Sequence, residues 1–370
     1  MSMSLANLIM LFVILIGLGI VYNRMEAKRL ENSEHENYSQ IKKYLLNDST
    51  LAKSKKPILW IHVPYEYNSR QWSSFGSRSS TDLNQPYLYL TVKSIIKHCD
   101  NSFNICMIDD STFAKLIPGW TINMNTITDP ILGYVRQMGM AKLLYYYGGI
   151  TVPVSFVCTR NLLGMYEKGT RNHRMFICEN IDSNITVTSY KFYPDSSFMG
   201  SNKENETLKE FIDFIQRIIS TDQTAQTEFL GEMNRWINHR VNLKKINLID
   251  GHDIGIKDMD DEPILLDDML SNNYINIYEN AYGIYIPAKQ ILNRVHYEWF
   301  ARQSAKQVLE GNSIISKYLL LANTPNSNAH VVESMQKKPN WVSFWQVPSG
   351  SPVWGLKPNN LGDRVRRMKD

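Results

Sequence analysis

Apolar positions along the chain fall into one long unbroken run followed by shorter runs of changing period. Leu5 to Tyr22 (LANLIMLFVILIGLGIVY) contains one strongly polar residue, Asn7, and no charge. At 1.5 Å rise per residue this run spans about 27 Å, close to the roughly 30 Å hydrocarbon core of a bilayer, and predicts a single membrane-spanning helix. Arg24, Lys28 and Arg29 follow the run, and no small-x-small cleavage site comes promptly after it. That arrangement predicts an uncleaved anchor rather than a signal peptide. It also places the C-terminal bulk on the cytosolic side by the positive-inside rule. Residues 24–56 are polar and highly charged and read as a stalk.

From Pro57 onward strand-like and helix-like runs alternate. Pro57 to Val63 (PILWIHV) predicts a buried strand. After Asn84-Gln85-Pro86, the positions Leu88, Thr91, Val92, Ile95, Ile96 and Cys99 recur at helical spacing. Phe103 to Ile108 predicts a second strand, ending in Asp109-Asp110, with a short helix from Ser111 stopped by Pro118-Gly119. Leu132, Val135, Gly139, Leu143, Leu144 and Tyr147 mark a further helix ended by Gly148-Gly149, and Ile150 to Cys158 reads as a third strand. The alternation predicts an α/β domain over residues 57–325, a mainly parallel sheet flanked by helices. Farther along, Ser201 and Glu204 suggest a capping box before the stripe Leu208, Phe211, Ile212, Ile215, Ile218 and Ile219. Phe229, Met233, Trp236 and Ile237 mark another helix. Tyr274–Tyr278 and Gly283–Ile286 look like strands, and Ser304–Ala322 looks helical.

Composition acts by exclusion. With 43% hydrophobic and 21% charged residues in 370, a mostly disordered chain is excluded. Lys and Arg number 40 against 36 Asp and Glu, so the lopsided basic face that nucleic acid demands is missing. Cys99, Cys106, Cys158 and Cys178 show no metal-ligand spacing and read as buried thiols of a reducing compartment. The tail, residues 326–370, carries Trp341, Trp345 and Trp354 before a basic end. It can staple the tail to the domain, dock a protein partner or stack on sugars.

The segment Val135 to Phe156, VRQMGMAKLLYYYGGITVPVSF, resembles glycosyltransferases of the GT-A fold, of the capsular-polysaccharide-synthesis and DXD-sugar-binding type. The resemblance covers about residues 57–160 and implies a GT-A-like (Rossmann-type) sheet and a nucleotide-sugar donor. In that family the helix carries an Asp and an Arg that hold the donor, and the following strand carries D-x-D, which binds a divalent metal on the donor diphosphate. Here the Arg position falls on Met140, the Asp position on Gln137, and D-x-D on Pro153, Val154 and Ser155. A hard divalent cation seeks anionic oxygen ligands, which Pro, Val and Ser lack. This variant, with L-x-x-x-GG kept and D-x-D lost, resembles proteins of large nucleocytoplasmic DNA viruses, which implies a place at a virion's inner membrane facing the capsid.

Candidate replacements for the lost donor-binding groups are Asp109 and Asp110 at the second strand's end, Arg136 one helical turn before Met140, Arg70 and Arg78 in the Ser-rich loop, and His296 in NRVHYEWF. Asp109 and Asp110 also read as acids capping the next helix, and His62 and His296 as packing residues. The cluster Asp258, Asp260, Asp261, Glu262, Asp267 and Asp268 lacks the EF-hand pattern and reads as a solvated loop. No GxSxG, GxGxxG or P-loop is present. Three functions follow as expectations; one, a plain sugar or nucleotide binder, lies between the two that follow. One is a catalytically degenerate, membrane-anchored GT-A-like protein with a structural or interaction role and no cofactor. The other is an active transferase that takes a nucleotide-sugar without the usual metal, stabilised by basic side chains.

Overall fold

The computed structural model describes residues 25, 56–63, 85, 87–128, 131–181, 191–221, 231–293 and 296–324. The run at 5–22, most of the stalk, the loop with Arg70 and Arg78, Phe229 and the tail from 326 lie outside these residues. Among the described residues no helix is long and apolar enough to cross a membrane. They divide into two compact units: one of residues 56–110 with those from 128 on, and a smaller one holding Met25 and 111–127.

The larger unit is a mixed α/β fold. Its main sheet has the order β2-β1-β3-β6-β5-β7. The strands are β1 (Ile58–His62), β2 (Asn104–Ile108), β3 (Gly149–Thr151), β5 (Met175–Ile181), β6 (Phe192–Ser201) and β7 (Ile246–Ile249). β1 pairs in parallel with β2 and β3, and β5 in parallel with β7; β6 alone runs opposite to its neighbours β3 and β5. Two further strands, β4 (Phe156–Cys158) and β8 (Gly283–Tyr285), form a separate antiparallel pair.

Helix α1 (Tyr87–Cys99) buries Leu88, Thr91, Val92, Ile95 and Cys99 as its spacing predicts, together with Leu90; Ile96, expected in the same stripe, is exposed with Tyr89 and Lys93. Helix α2 (Asp110–Leu116) leads into the smaller unit, where Phe113, Ile117 and Met124 are buried and Phe113 lies 5.3 Å from Trp120, ring to ring. Helix α3 (Ile131–Tyr147) buries Val135, Gly139, Leu143, Leu144 and Tyr147 and packs on α5 (Glu206–Ser220). Between them in sequence lies α4 (Leu163–Gly169); α6 (Glu232–Asn242) and α7 (Leu266–Leu270) follow. The chain then runs through α8 (Ala288–Asn293), α9 (Glu298–Ala301), α10 (Ala305–Leu309) and α11 (Ile314–Asn323).

Gly148-Gly149 has a specific physical task. Gly149 has φ +104°, and a Cβ placed there would meet the Ile58 carbonyl oxygen at 2.1 Å. Only glycine lets β3 lie this close to β1 after α3 ends. The Gly148 carbonyl in turn accepts from the Trp60 indole at 3.0 Å. One apolar cluster joins the sheet to α1 and α4 through Leu59, Ile61, Ile95, Ile150, Met165 and Phe176. A second joins α1 and β8 to the C-terminal helices through Tyr87, Ile284, Phe300, Ile315 and Leu319.

Four local expectations are corrected. The single strand expected at Ile150–Cys158 is two, because the chain turns at Pro153 and crosses to the second sheet. The cap of α5 is Asn205, whose side chain accepts from Leu208 N–H at 3.0 Å; Glu204 before it has φ +55°. Tyr274–Tyr278 forms no strand and contributes one isolated bridge, Ile277 with Asp258. Ser304–Ala322 is two helices: Ser304 caps α10 in a capping box with Gln307, and Ser313 caps α11 after the break at Gly311.

Candidate functional site

In the order β2-β1-β3 the connections out of β1 and β2 place their strands on opposite sides of β1. In open α/β sheets a reversal of this kind marks the crevice, at the carboxyl ends of the strands, where ligands usually bind. His62 ends β1, Asp109-Asp110 follows β2, and residues 152–155 follow β3.

The structure brings two of the candidate residues, Asp110 and Arg136, together with His62. One Asp110 oxygen lies 2.8 Å from His62 Nε2. The Arg136 guanidinium straddles the same carboxylate, with Nε at 3.1 Å and 3.2 Å from its two oxygens and Nη2 at 2.8 Å. His62 and Arg136 are each 14% exposed at the side chain and Asp110 22%. Burial pushes the Asp110 carboxyl up, but the hydrogen bonds and charges of His62 and Arg136 outweigh it and hold its pKa at about 2. A forked guanidinium on a carboxylate is among the stronger charge-assisted arrangements, and it leaves the Asp110–Arg136 pair with no net charge.

The turn after β3 is a packing element. Val152 N–H extends the pairing by donating to the Trp60 carbonyl at 2.9 Å, and Phe156 N–H donates to the Pro153 carbonyl at 3.0 Å. The Val154 carbonyl accepts from the Thr91 hydroxyl of α1 at 2.5 Å. The Ser155 carbonyl accepts from Ile286 N–H at 3.2 Å. Ser155 is 3% exposed, and Val154 packs against both apolar clusters. The turn therefore ties β3, α1 and the end of β8 together.

These residues do not fit the divalent metal that the GT-A resemblance implies. Pro153 and Val154 have no side-chain oxygen, and each carbonyl of the turn already accepts a hydrogen bond. The carboxylate across the crevice is engaged by Arg136 and His62. Among the described residues no group of three or more His, Cys, Asp or Glu side chains is placed to hold a metal ion. At the two helix positions that hold the donor in that family stand Met140 and Gln137, both half-buried. The Gln137 side-chain oxygen is buried with no hydrogen-bond partner among the described residues.

Other candidates lie elsewhere. Asp109 is half-buried beside Asp110. His296 is exposed, 3.8 Å from Asp267 and 5.0 Å, ring to ring, from Tyr297. Within the acidic cluster Asp258 accepts from the backbone N–H of Asp260 and Glu262, Asp268 accepts from Leu265 N–H at the start of α7, and Glu262 pairs with Lys191 at 2.7 Å. These are local turns and a solvated ion pair.

Sequence reasoning missed a second charged group at the same edge of the sheet. Lys257, nearly buried, reaches Glu179 at the end of β5 at 2.6 Å and Asp250 after β7 at 3.5 Å, and its ammonium lies 4.5 Å from the Phe192 ring centroid. Burial pulls the Lys257 pKa down, and the hydrogen bond and charge of Glu179 raise it beyond that, to a net rise. Nearby, Lys168 pairs with Asp253 at 2.8 Å, and Asp195 accepts from Asn180 at 2.8 Å. Partners 78 residues apart, as with Glu179 and Lys257, leave no spacing signal in sequence. The described carboxylates of this edge are thus paired locally.

No family model matches the chain, and no curated protein matches it. Among solved structures it is similar to the apo form of the glycosyltransferase GlyE of Streptococcus pneumoniae TIGR4, at 12% identity and a TM-score of 0.31. That match covers 54% of this chain and 46% of GlyE, so the likeness spans less than half of that protein. It is also similar to the PaToxG glycosyltransferase, at 10% identity and a TM-score of 0.28, over 58% of this chain and 80% of that one.

Proposed function

We propose that this chain is a membrane-anchored, glycosyltransferase-like protein of the GT-A type that no longer transfers sugar by the metal route and serves as a structural or interaction protein. The anchor is the apolar run 5–22, the domain faces the cytosolic side, and the setting is a viral inner membrane facing its capsid. The resemblance of Val135–Phe156 and the mainly parallel sheet support the lineage. One observation carries the loss of chemistry: the D-x-D position is a turn without a carboxylate, with Ser155 buried, whose carbonyls hold α1, β4 and the end of β8. Polarising a leaving diphosphate by a metal is worth several kcal/mol, and each 1.36 kcal/mol is tenfold in rate, so the missing grip removes orders of magnitude.

The metal-free transferase reading has one observation in its favour, a guanidinium at the crevice. That guanidinium is committed to Asp110 in two hydrogen bonds or more, which weakens it as a diphosphate clamp. The test is thermal unfolding of the full chain in detergent with a panel of UDP- and GDP-sugars, with and without Mn²⁺, alongside an assay of donor hydrolysis. The proposal expects no donor-dependent rise and no hydrolysis in either condition. A rise with hydrolysis that needs Mn²⁺ overturns it. The same result without Mn²⁺ establishes the metal-free transferase.

A further inference from the structure

Cys99 is the last residue of α1 and Cys158 the last residue of β4. Both side chains are wholly buried, and their sulfurs lie 3.9 Å apart, in hydrogen-bond contact as thiols. The backbones that carry them are held together independently of the sulfurs. Cys158 N–H donates to the Ser94 hydroxyl of α1 at 2.9 Å, and Thr91 on the same helix holds Val154 before β4. A disulfide requires sulfurs about 2.05 Å apart, so about 2 Å of approach is needed, the scale of motion of a thiol that changes its χ1 well.

We propose that Cys99 and Cys158 are a modification site: a dithiol pair that a peroxide converts to a disulfide, locking the end of α1 to β4. Cys99 is the attacking sulfur and Cys158 the resolving one. Contact with Cys158 lowers the Cys99 thiol, whereas burial pushes Cys158, whose S–H also reaches the Arg160 carbonyl at 3.0 Å, well up. In the first step the Cys99 thiolate displaces hydroxide from hydrogen peroxide and becomes a sulfenic acid. In the second, the Cys158 sulfur displaces water from that sulfenic acid and loses its proton. Two thiols and one peroxide thus give one disulfide and two waters, with two electrons passing to the peroxide. Burial raises the thiols of Cys106 and Cys178, and Cys106, the one of the four that is not fully buried, is the competing target by access.

The crosslink would enclose β2, α3, β3 and the 153–155 turn in one covalent loop, so it acts on the segment that forms the crevice. This inference stands apart from the proposed function, since it depends on neither sugar nor metal. The test treats the reduced full chain, in detergent, with hydrogen peroxide, then quenches, denatures, alkylates and maps the peptides by mass. The expected product is a Cys99–Cys158 linked peptide pair two hydrogens lighter than its parts, with Cys106 and Cys178 alkylated. The thermal midpoint of the oxidised protein is expected to rise by about 10 °C, as a loop of this length predicts. Cys99→Ser, and Cys99→Ala as a second variant, should abolish both the linked pair and the rise. Recovery of Cys99 and Cys158 as separate alkylated peptides, with oxidation confined to Cys106 or absent, overturns the proposal.

Discussion

Replacing Asp110 by alanine removes the carboxylate that His62 and Arg136 share. The Asp110 pKa falls from its ordinary 3.8 to about 2 in the folded protein. At 1.36 kcal/mol per unit, that depression corresponds to about 2 kcal/mol of stability, an upper figure because a fifth of the side chain is still in solvent. A lowered folded pKa stabilises above the unfolded value, so the contribution is complete above about pH 4 and fades as pH falls through about 2. Asp110→Ala should therefore be less stable than the parent at pH 7 by about 2 kcal/mol, or about 4–8 °C in thermal midpoint for a domain of this size. The gap should narrow steadily below pH 4 and approach zero near pH 2. Urea unfolding followed by tryptophan fluorescence, across a pH series, measures it for both proteins. A gap that keeps its size down to pH 2, or a loss under 0.5 kcal/mol at pH 7, would refute the assignment of Asp110 as the charge centre of this cluster.

Two further outcomes follow from the same geometry. Gly149→Ala should fail to give folded, soluble protein, because its Cβ would lie 2.1 Å from the Ile58 oxygen at φ +104°; a cooperative melt within a few degrees of the parent contradicts the close β1–β3 approach. Placing acids in the double variant Pro153→Asp, Ser155→Asp should destabilise the fold by several kcal/mol, since the second carboxylate enters a site 3% exposed, and Mn²⁺ should give no recovery in a thermal-shift titration. Recovery by Mn²⁺ would mean that the crevice still has the geometry of a metal site.

Elements whose side chains face one core at a regular period were legible in the sequence. α1, α3 and α5 show their buried stripes, and β1 and β2 are short apolar runs between polar breaks. β6 was not legible, because Phe192–Ser201 contains Pro194, Asp195, Ser196 and Ser197, which argue against a central strand. The structure shows why they are tolerated: β3 pairs only with Met199–Ser201, so the first part of β6 has β5 alone as its ladder partner. At β5 the apolar pattern stops at Cys178, where a register shift begins the stretch carrying Glu179 and Asn180. Pro153 was the one sign that Ile150–Cys158 is not a single strand, and the apolar residues on both sides of it masked the signal.

The candidate site was legible in part. The end of β2 and the helix before Gly148-Gly149 were flagged by topology and by family resemblance. That Asp110 and Arg136 would spend their charges on each other could not be read, since 26 residues separate them and His62 stands 48 residues before Asp110. Pairings of that kind are decided by tertiary geometry and carry no local pattern.

The bend at residues 153–155 also limits what the chain can accept there. Val154 packs against two hydrophobic interiors and Ser155 is shut away from water, so a carboxylate at 155 is uphill unless a bound ion offsets it. A bend that joins two sheets is therefore hard to convert into an ion site by single substitutions.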